Sequence, residues 1–168
     1  MSEIVFDESL ILELEGIEEN TEALTQLTDY LLDKGYVKEG YKEAILEREA
    51  MFPTGLSTGE INIAIPHADT SFVNQAAICV GILKNPVKFS AMDEPDHQID
   101  VNIIIVLALK EAHGHLEMLQ KVVGLIKDQD NLKNIVTASD TKPVYDIISS
   151  HLENVFAIGN GSTNARSC

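Results

Sequence analysis

Two apolar stretches in the middle of the chain, Ala76–Leu83 and Val101–Leu109, limit the possible folds more than any other feature. Neither alternates polar with apolar residues, so neither suits a sheet with one face in water. Each reads as a strand buried on both faces, and such strands need a covering layer on either side of their sheet. Helical patterns supply that cover. Asn20 or Thr21 can cap a first helix, Glu22 suits its positive first turn, and Leu24, Leu27, Leu31 and Leu32 form its apolar face up to Gly35. A second helix is expected after Gly40, with Tyr41, Ala44, Ile45 and Leu46 inward and an end near Ala50, ahead of Pro53 and Gly55. Beyond Leu109 the period turns helical again, with Leu116, Leu119, Val122, Val123 and Ile126 on one face. Shorter helices follow around Leu132–Val136 and Val144–Leu152.

Ile4–Leu14 fits either a strand or a short helix, and NPVKFSAMDEPDHQ, between the two apolar runs, reads as an edge strand and loops. Strands alternating with helices predict an α/β fold: one domain with a mixed central sheet flanked by helices on both faces. The domain is expected over residues 1–154. Residues 155–168, ending AIGNGSTNARSC, lack periodicity and are expected to form a flexible tail.

Composition narrows the class of function. In 168 residues, 45% hydrophobic and 23% charged content is ordinary for a globular protein. Twelve Lys plus Arg against 27 Asp plus Glu give a net charge of −15, which repels nucleic-acid backbones and anionic lipid. Neither is an expected partner. Ile103–Leu109, the longest uninterrupted apolar run, is too short to cross a bilayer. Two cysteines build no disulfide framework: Cys79 lies inside an apolar run and Cys168 is the last residue. The N-terminus is acidic where a secretory signal would be basic, so a cytoplasmic setting is expected.

The chemistry points to INIAIPHAD, Ile61–Asp69. Ile61, Ile63 and Ile65 alternate with Asn62 and Ala64, the period of a half-buried strand. Pro66 cannot donate to a ladder, so the strand stops and His67 is the first side chain beyond it. An imidazole is largely neutral and nucleophilic at cellular pH. Among the other histidines, His151 is expected to cap the end of the last helix and His97 to be solvated in an acidic loop. His113 and His115 follow the long buried strand at a helix start, where free N–H groups favour anions. They converge with His67 if the two strands are parallel neighbours. Arg48, on the second helix, is a natural anion clamp or else half of a surface ion pair. Asp69 either orients the His67 ring or caps the next helix. His67, His113 and His115 with Asp69 or Asp93 could also chelate a metal in a hydrolase, but no carboxylate sits at a recognised ligand spacing.

The stretch REAMFPTGLSTGEINIAIPHAD, which begins at Arg48, resembles the active-site signature of phosphotransferase-system enzyme IIA domains of the fructose–mannitol type. The matching elements are Arg48-Glu49, a variable loop, and then Ile63, Ala64, Ile65, Pro66 and His67. The resemblance runs from about Ile4 to Leu152, with AICVGIL and HLEMLQKVVGLI also in place, and FPTG is similar to the galactitol-type branch. It implies a mannitol-type IIA fold and a phosphocarrier that takes a phosphoryl group from phosphohistidine on HPr and passes it to a cysteine of enzyme IIB. In that role His67 matches the phospho-acceptor and Arg48 the family's arginine. His115-Leu116 matches the second active-site histidine better than His113-Gly114. No metal or cofactor is implied. Sugar specificity would lie in the membrane IIC subunit, reached through IIB without insertion of this chain. A regulatory, nitrogen-type IIA-like protein would share fold and histidine but use phosphorylation as a switch.

Overall fold

The computed structural model describes residues 4–159, leaving aside the side chains of 112–116, 119 and 153–159. Of the two readings open for the N-terminal segment, the strand is realised: a 3-10 turn at Glu8–Leu10, capped by Asp7, feeds β1 (Ile11–Leu14). Helix α1 (Asn20–Asp33) starts one residue before the expected caps. Glu19 is its N-cap, in a reciprocal capping box with Glu22, whose carboxylate accepts from Glu19 N at 3.1 Å. It ends as expected at Gly35, which takes φ +83° while Tyr36 N donates to Leu31 O and Gly35 N to Leu32 O. Its buried face is Ala23, Leu24, Leu27, Thr28 and Leu31, whereas Leu32 lies 40% exposed. Leu32 is one helical step off the stripe and turns towards water. Helix α2 (Tyr41–Met51) buries Tyr41, Ile45 and Glu49, each four residues from the next, with Ala44 and Leu46 only half-buried.

Five strands form one mixed sheet: β2 (Gly55–Leu56), β3 (Asn62–Ala64), β4 (Ala77–Ser90) and β5 (Gln98–Ala108) join β1 in the order β1-β4-β5-β3-β2. β1 runs parallel to β4 and β3 parallel to β5, while β4 with β5 and β2 with β3 are antiparallel. The segment read as a separate edge strand and loops is instead the far half of a long hairpin. β4 continues through it to Ser90 and pairs with Gln98, after a register shift between Ile82 and Val87. The sequence obscured this because exposed Lys84, Asn85, Pro86 and Lys88 interrupt the apolar run, although Val87 and Phe89 remain buried in the core.

Helices α3 (Ala112–Ile126), α4 (Gln129–Thr137) and α5 (Thr141–Gly159) follow. The buried residues of α3 include Met118, Val122 and Leu125, with Val123 38% exposed. The expected stripe was thus rotated by about one position; Leu116 and Leu119 lie outside the described side chains. Helix α5 reaches Gly159, past the expected start of a tail, and 160–168 lie outside the described residues. His151 consequently sits within α5, not at its end, its Nδ1 3.1 Å from Ile147 O.

Helix α1 packs on α2 and on β4; α3, α4 and α5 pack together, and α4 also meets β4. Ala77–Leu83 is buried at every position, which requires cover on both faces because neighbouring side chains point opposite ways. Gly81 packs closely under β1 and α1: a Cβ there would lie 2.9 Å from Leu14 Cδ1 and 3.0 Å from Leu27 Cδ1, so those side chains would have to shift. Because β3 and β5 are parallel neighbours, both end at the same edge of the sheet. One leads to His67 and the other to the first turn of α3, the convergence on which a shared site depends.

Candidate active site

β3 is short and, contrary to its alternating sequence, is not half-buried: Asn62, Ile63, Ala64 and Ile65 are all buried. The polar member survives there because its amide is satisfied. Asn62 Oδ1 accepts from Thr58 N at 2.9 Å and its Nδ2 donates to Asp100 O at 2.8 Å. Pro66 then leaves the sheet, and its carbonyl accepts from Leu107 N at 3.0 Å. That bond ties the turn to β5.

His67 is half-buried just beyond, with Nδ1 3.0 Å from Ile65 O. A carbonyl oxygen only accepts, so Nδ1 carries the proton and Nε2 keeps its lone pair. Burial lowers the His67 pKa below the ordinary histidine value; the Ile65 carbonyl opposes this, and the positive charge of Arg48 adds to it. The ring is therefore neutral at cellular pH. Arg48 and His67, far apart in sequence, lie within electrostatic reach. Arg48 sits exposed in the last turn of α2, its guanidinium 5.4 Å from the centre of the Phe52 ring.

Of the two roles open to Asp69, the cap is the one described. Its exposed carboxylate accepts from Ser71 N at 2.9 Å, opening the 3-10 turn Thr70–Phe72, and that bond lowers its pKa. His113 and His115 fall in the first turn of α3, at the sheet edge where His67 stands; their side chains lie outside the described residues. His97 is exposed, as expected. Cys79 is buried in β4 and burial pushes its thiol up to about 12, which leaves it inert as a nucleophile. Among the described residues no group of three or more His, Cys, Asp or Glu is placed to hold a metal ion.

The sequence places Glu49 only as part of the Arg48-Glu49 element; its pairing with Thr54 is seen in the structure. Glu49, only 7% exposed, takes Thr54 N on Oε2 and Thr54 Oγ1 on Oε1, both at 2.8 Å. Two donors suit a carboxylate, burial suits the neutral acid, and the net result is a pKa raised to about 7, burial being the larger influence. The spacing Tyr41, Ile45, Glu49 was the available signal, since it continues the buried face of α2 onto an acid.

Residues 4–151 match the family model described as phosphoenolpyruvate-dependent sugar phosphotransferase system, EIIA 2. The chain is 29% identical over 124 residues to a galactitol-specific EIIA component of Escherichia coli K12, covering 74% of this chain and 82% of that protein. A mannitol enzyme IIA solved in complex with phosphorylated enzyme IIB, from Escherichia coli, superposes with a TM-score of 0.73 at 18% identity over 88% of this chain and 99% of that one. A nitrogen regulatory protein IIA from Neisseria meningitidis gives 0.65 at 23% identity, over 84% and 94%. At those identities the solved structures speak for the fold. The family match, over most of the chain, speaks for more: this protein belongs to the EIIA 2 family of the phosphoenolpyruvate-dependent sugar phosphotransferase system and is a phosphotransferase component of sugar transport.

Proposed function

We propose that this chain is a cytoplasmic phosphocarrier in which His67 Nε2 accepts a phosphoryl group from phosphohistidine on HPr and passes it to the cysteine of a sugar-specific enzyme IIB. The single observation behind this reading is the Nδ1–H bond to the Ile65 carbonyl, which leaves Nε2 unprotonated at a strand end. In the first step the P–N bond to the donor imidazole breaks as the P–Nε2 bond forms. In the second, P–Nε2 breaks as a P–S bond forms on the acceptor thiolate. The transition state is loose, so positioning and charge stabilisation of the equatorial oxygens supply most of the catalysis. Arg48 is the proposed clamp for those oxygens and His115 the proposed N–H donor, with His113 the alternative. No metal enters this scheme, because donor and acceptor are both side chains. The 29% identity to a galactitol-specific component favours galactitol or a related polyol as the transported sugar.

Phosphoenolpyruvate, the enzyme that phosphorylates HPr, and HPr itself should label the protein with acid-labile, base-stable phosphate. His67→Ala should abolish the label with an unchanged amide spectrum; a labelled His67→Ala protein would refute the proposal. Because the His67 pKa is lowered, protonation of its ring should curb acceptance only at lower pH than it would for an ordinary histidine. His115→Ala should slow acceptance more than His113→Ala. Transfer onward to a IIB cysteine separates a transport carrier from a regulatory IIA-like protein, which would bind other proteins instead.

A further inference from the structure

We infer that Glu49, acting through Thr54, is a positioning residue that sets which nitrogen of His67 carries the proton. The inference rests on the phosphocarrier reading. Its basis is an unbroken run of hydrogen bonds from α2 to the imidazole. Glu49 holds Thr54 by two bonds, to the amide and to the hydroxyl, each 2.8 Å. Thr54, itself 2% exposed, holds Ile65 by two more: Ile65 N donates to Thr54 Oγ1 at 3.2 Å and to Thr54 O at 3.3 Å. The Ile65 carbonyl then receives His67 Nδ1 at 3.0 Å.

The directions of these bonds leave little freedom. Thr54 Oγ1 gives its only proton to Glu49 Oε1, so its lone pairs face Ile65 N. Both Glu49 oxygens are committed as acceptors, which a carboxylate satisfies and an amide does not. A glutamine here could accept from Thr54 N only by turning its NH2 towards Thr54 Oγ1, which would then meet two donors and leave its own proton unbonded. The Ala64–Ile65 peptide, which precedes the one that carries the Ile65 carbonyl, is thus held by Thr54 and through it by Glu49. Beyond the Ile65 carbonyl, Leu107 N holds the Pro66 carbonyl. An imidazole whose Nδ1 partner shifts loses its tautomer preference, and Nε2 then carries the proton in part of the population. Glu49 touches neither phosphoryl group nor reacting atom in this scheme. Its neighbour Arg48 is exposed.

Thr54→Val is the decisive variant, because it keeps the side-chain shape and removes only the bridging hydroxyl. Thr54→Ser restores it, and Glu49→Gln tests the other end. Acceptance from phospho-HPr should slow about 10- to 100-fold per folded molecule in Thr54→Val and Glu49→Gln, with KM little changed and Thr54→Ser near wild type. Imidazole 15N shifts should show Nε2–H tautomer appearing in the slow variants. A purely structural role would lower the melting temperature and leave the tautomer alone. Wild-type rates, or an unmoved Nδ1–H tautomer, in folded Thr54→Val would overturn the inference. Where Glu49→Gln fails to fold, Thr54→Val decides by itself. Label on His67→Ala would refute the carrier reading, whereas normal labelling of His67 with an unslowed Thr54→Val refutes only the positioning role.

Discussion

Strands β4 and β5 hold each other through a long ladder, apolar from Ala77↔Ala108 to Ile82↔Ile103 and mixed from Val87↔Val101 to Ser90↔Gln98, whereas the corner that carries His67 has strands of two and three residues. What the corner lacks in ladder it makes up with individually placed polar side chains. Asn62 bridges the Thr58 amide and the Asp100 carbonyl. Gln129, at the start of α4, accepts from Ile61 N at 3.1 Å and donates to Thr58 Oγ1 at 2.8 Å. Thr58 Oγ1 in turn bonds Ile61 O, and Glu49 and Thr54 hold the strand's exit. A ladder is redundant, since each pair backs up the next. The corner is not: each group has one task, so removing one misplaces the site before it unfolds the protein.

Four measurements would break or sharpen that contrast. The largest loss belongs to the centre. Ile105→Ala, at a fully buried position paired with Val80, should cost about 2–5 kcal/mol in chemical denaturation, because the cavity cannot collapse between two helical layers. Next comes the buried acid of the corner. Glu49 in the folded protein holds its proton up to about 7, against an ordinary value of 4.5. Between those values the folded state binds more protons than the unfolded, so its contribution to stability falls as pH rises through the window. Wild type minus Glu49→Gln should therefore change with pH across that range by roughly 3 kcal/mol at most. A difference that stays level with pH would show that Glu49 does not titrate there.

Asn62→Ala should cost about 1–3 kcal/mol, since Thr58 N and Asp100 O lose their shared partner in a largely buried place. It should also slow phosphoryl acceptance, which Ile105→Ala should do only in proportion to unfolding. The smallest effect is at the solvated half of the hairpin. Lys88 and Asp100 form an ion pair at 2.8 Å, but both side chains are more than half exposed, so Lys88→Ala should change stability by only about 0–1 kcal/mol. If that pair proved as costly as Asn62, the division between redundant centre and singly held corner would fail.

The same division explains what could be read in advance. The apolar runs, the Schellman end at Gly35 and the strand stop at Pro66 are local signals, each written in a few neighbouring residues, and all are present in the fold. His67 and Arg48 were legible because an uncommon residue type stood at a marked local position. Leu32 and Val123 were misassigned to buried stripes because two adjacent leucines or valines satisfy a helical period almost equally well, and only packing selects between them. The long β4–β5 hairpin was missed for a related reason: its far half mixes exposed polar residues with buried apolar ones, and pairing partners are not written in either strand alone. Glu49 shows the limit most clearly. An acid on a short helix reads as solvated; the spacing from Tyr41 and Ile45 hints at its burial, but the two Thr54 donors that satisfy it are seen only in the fold.

By itself, then, the order of residues determined the α/β class, the covered sheet and the placing of a histidine immediately after a strand, because period and strand stops are properties of short segments. The tertiary structure alone decided that β3 and β5 run parallel as neighbours, so that His67 and the first turn of α3 share an edge. It also decided that Glu49 faces inward, with Thr54 between it and the active-site turn. Those outcomes depend on free energies of contact between segments distant in the chain, and no local pattern carries them.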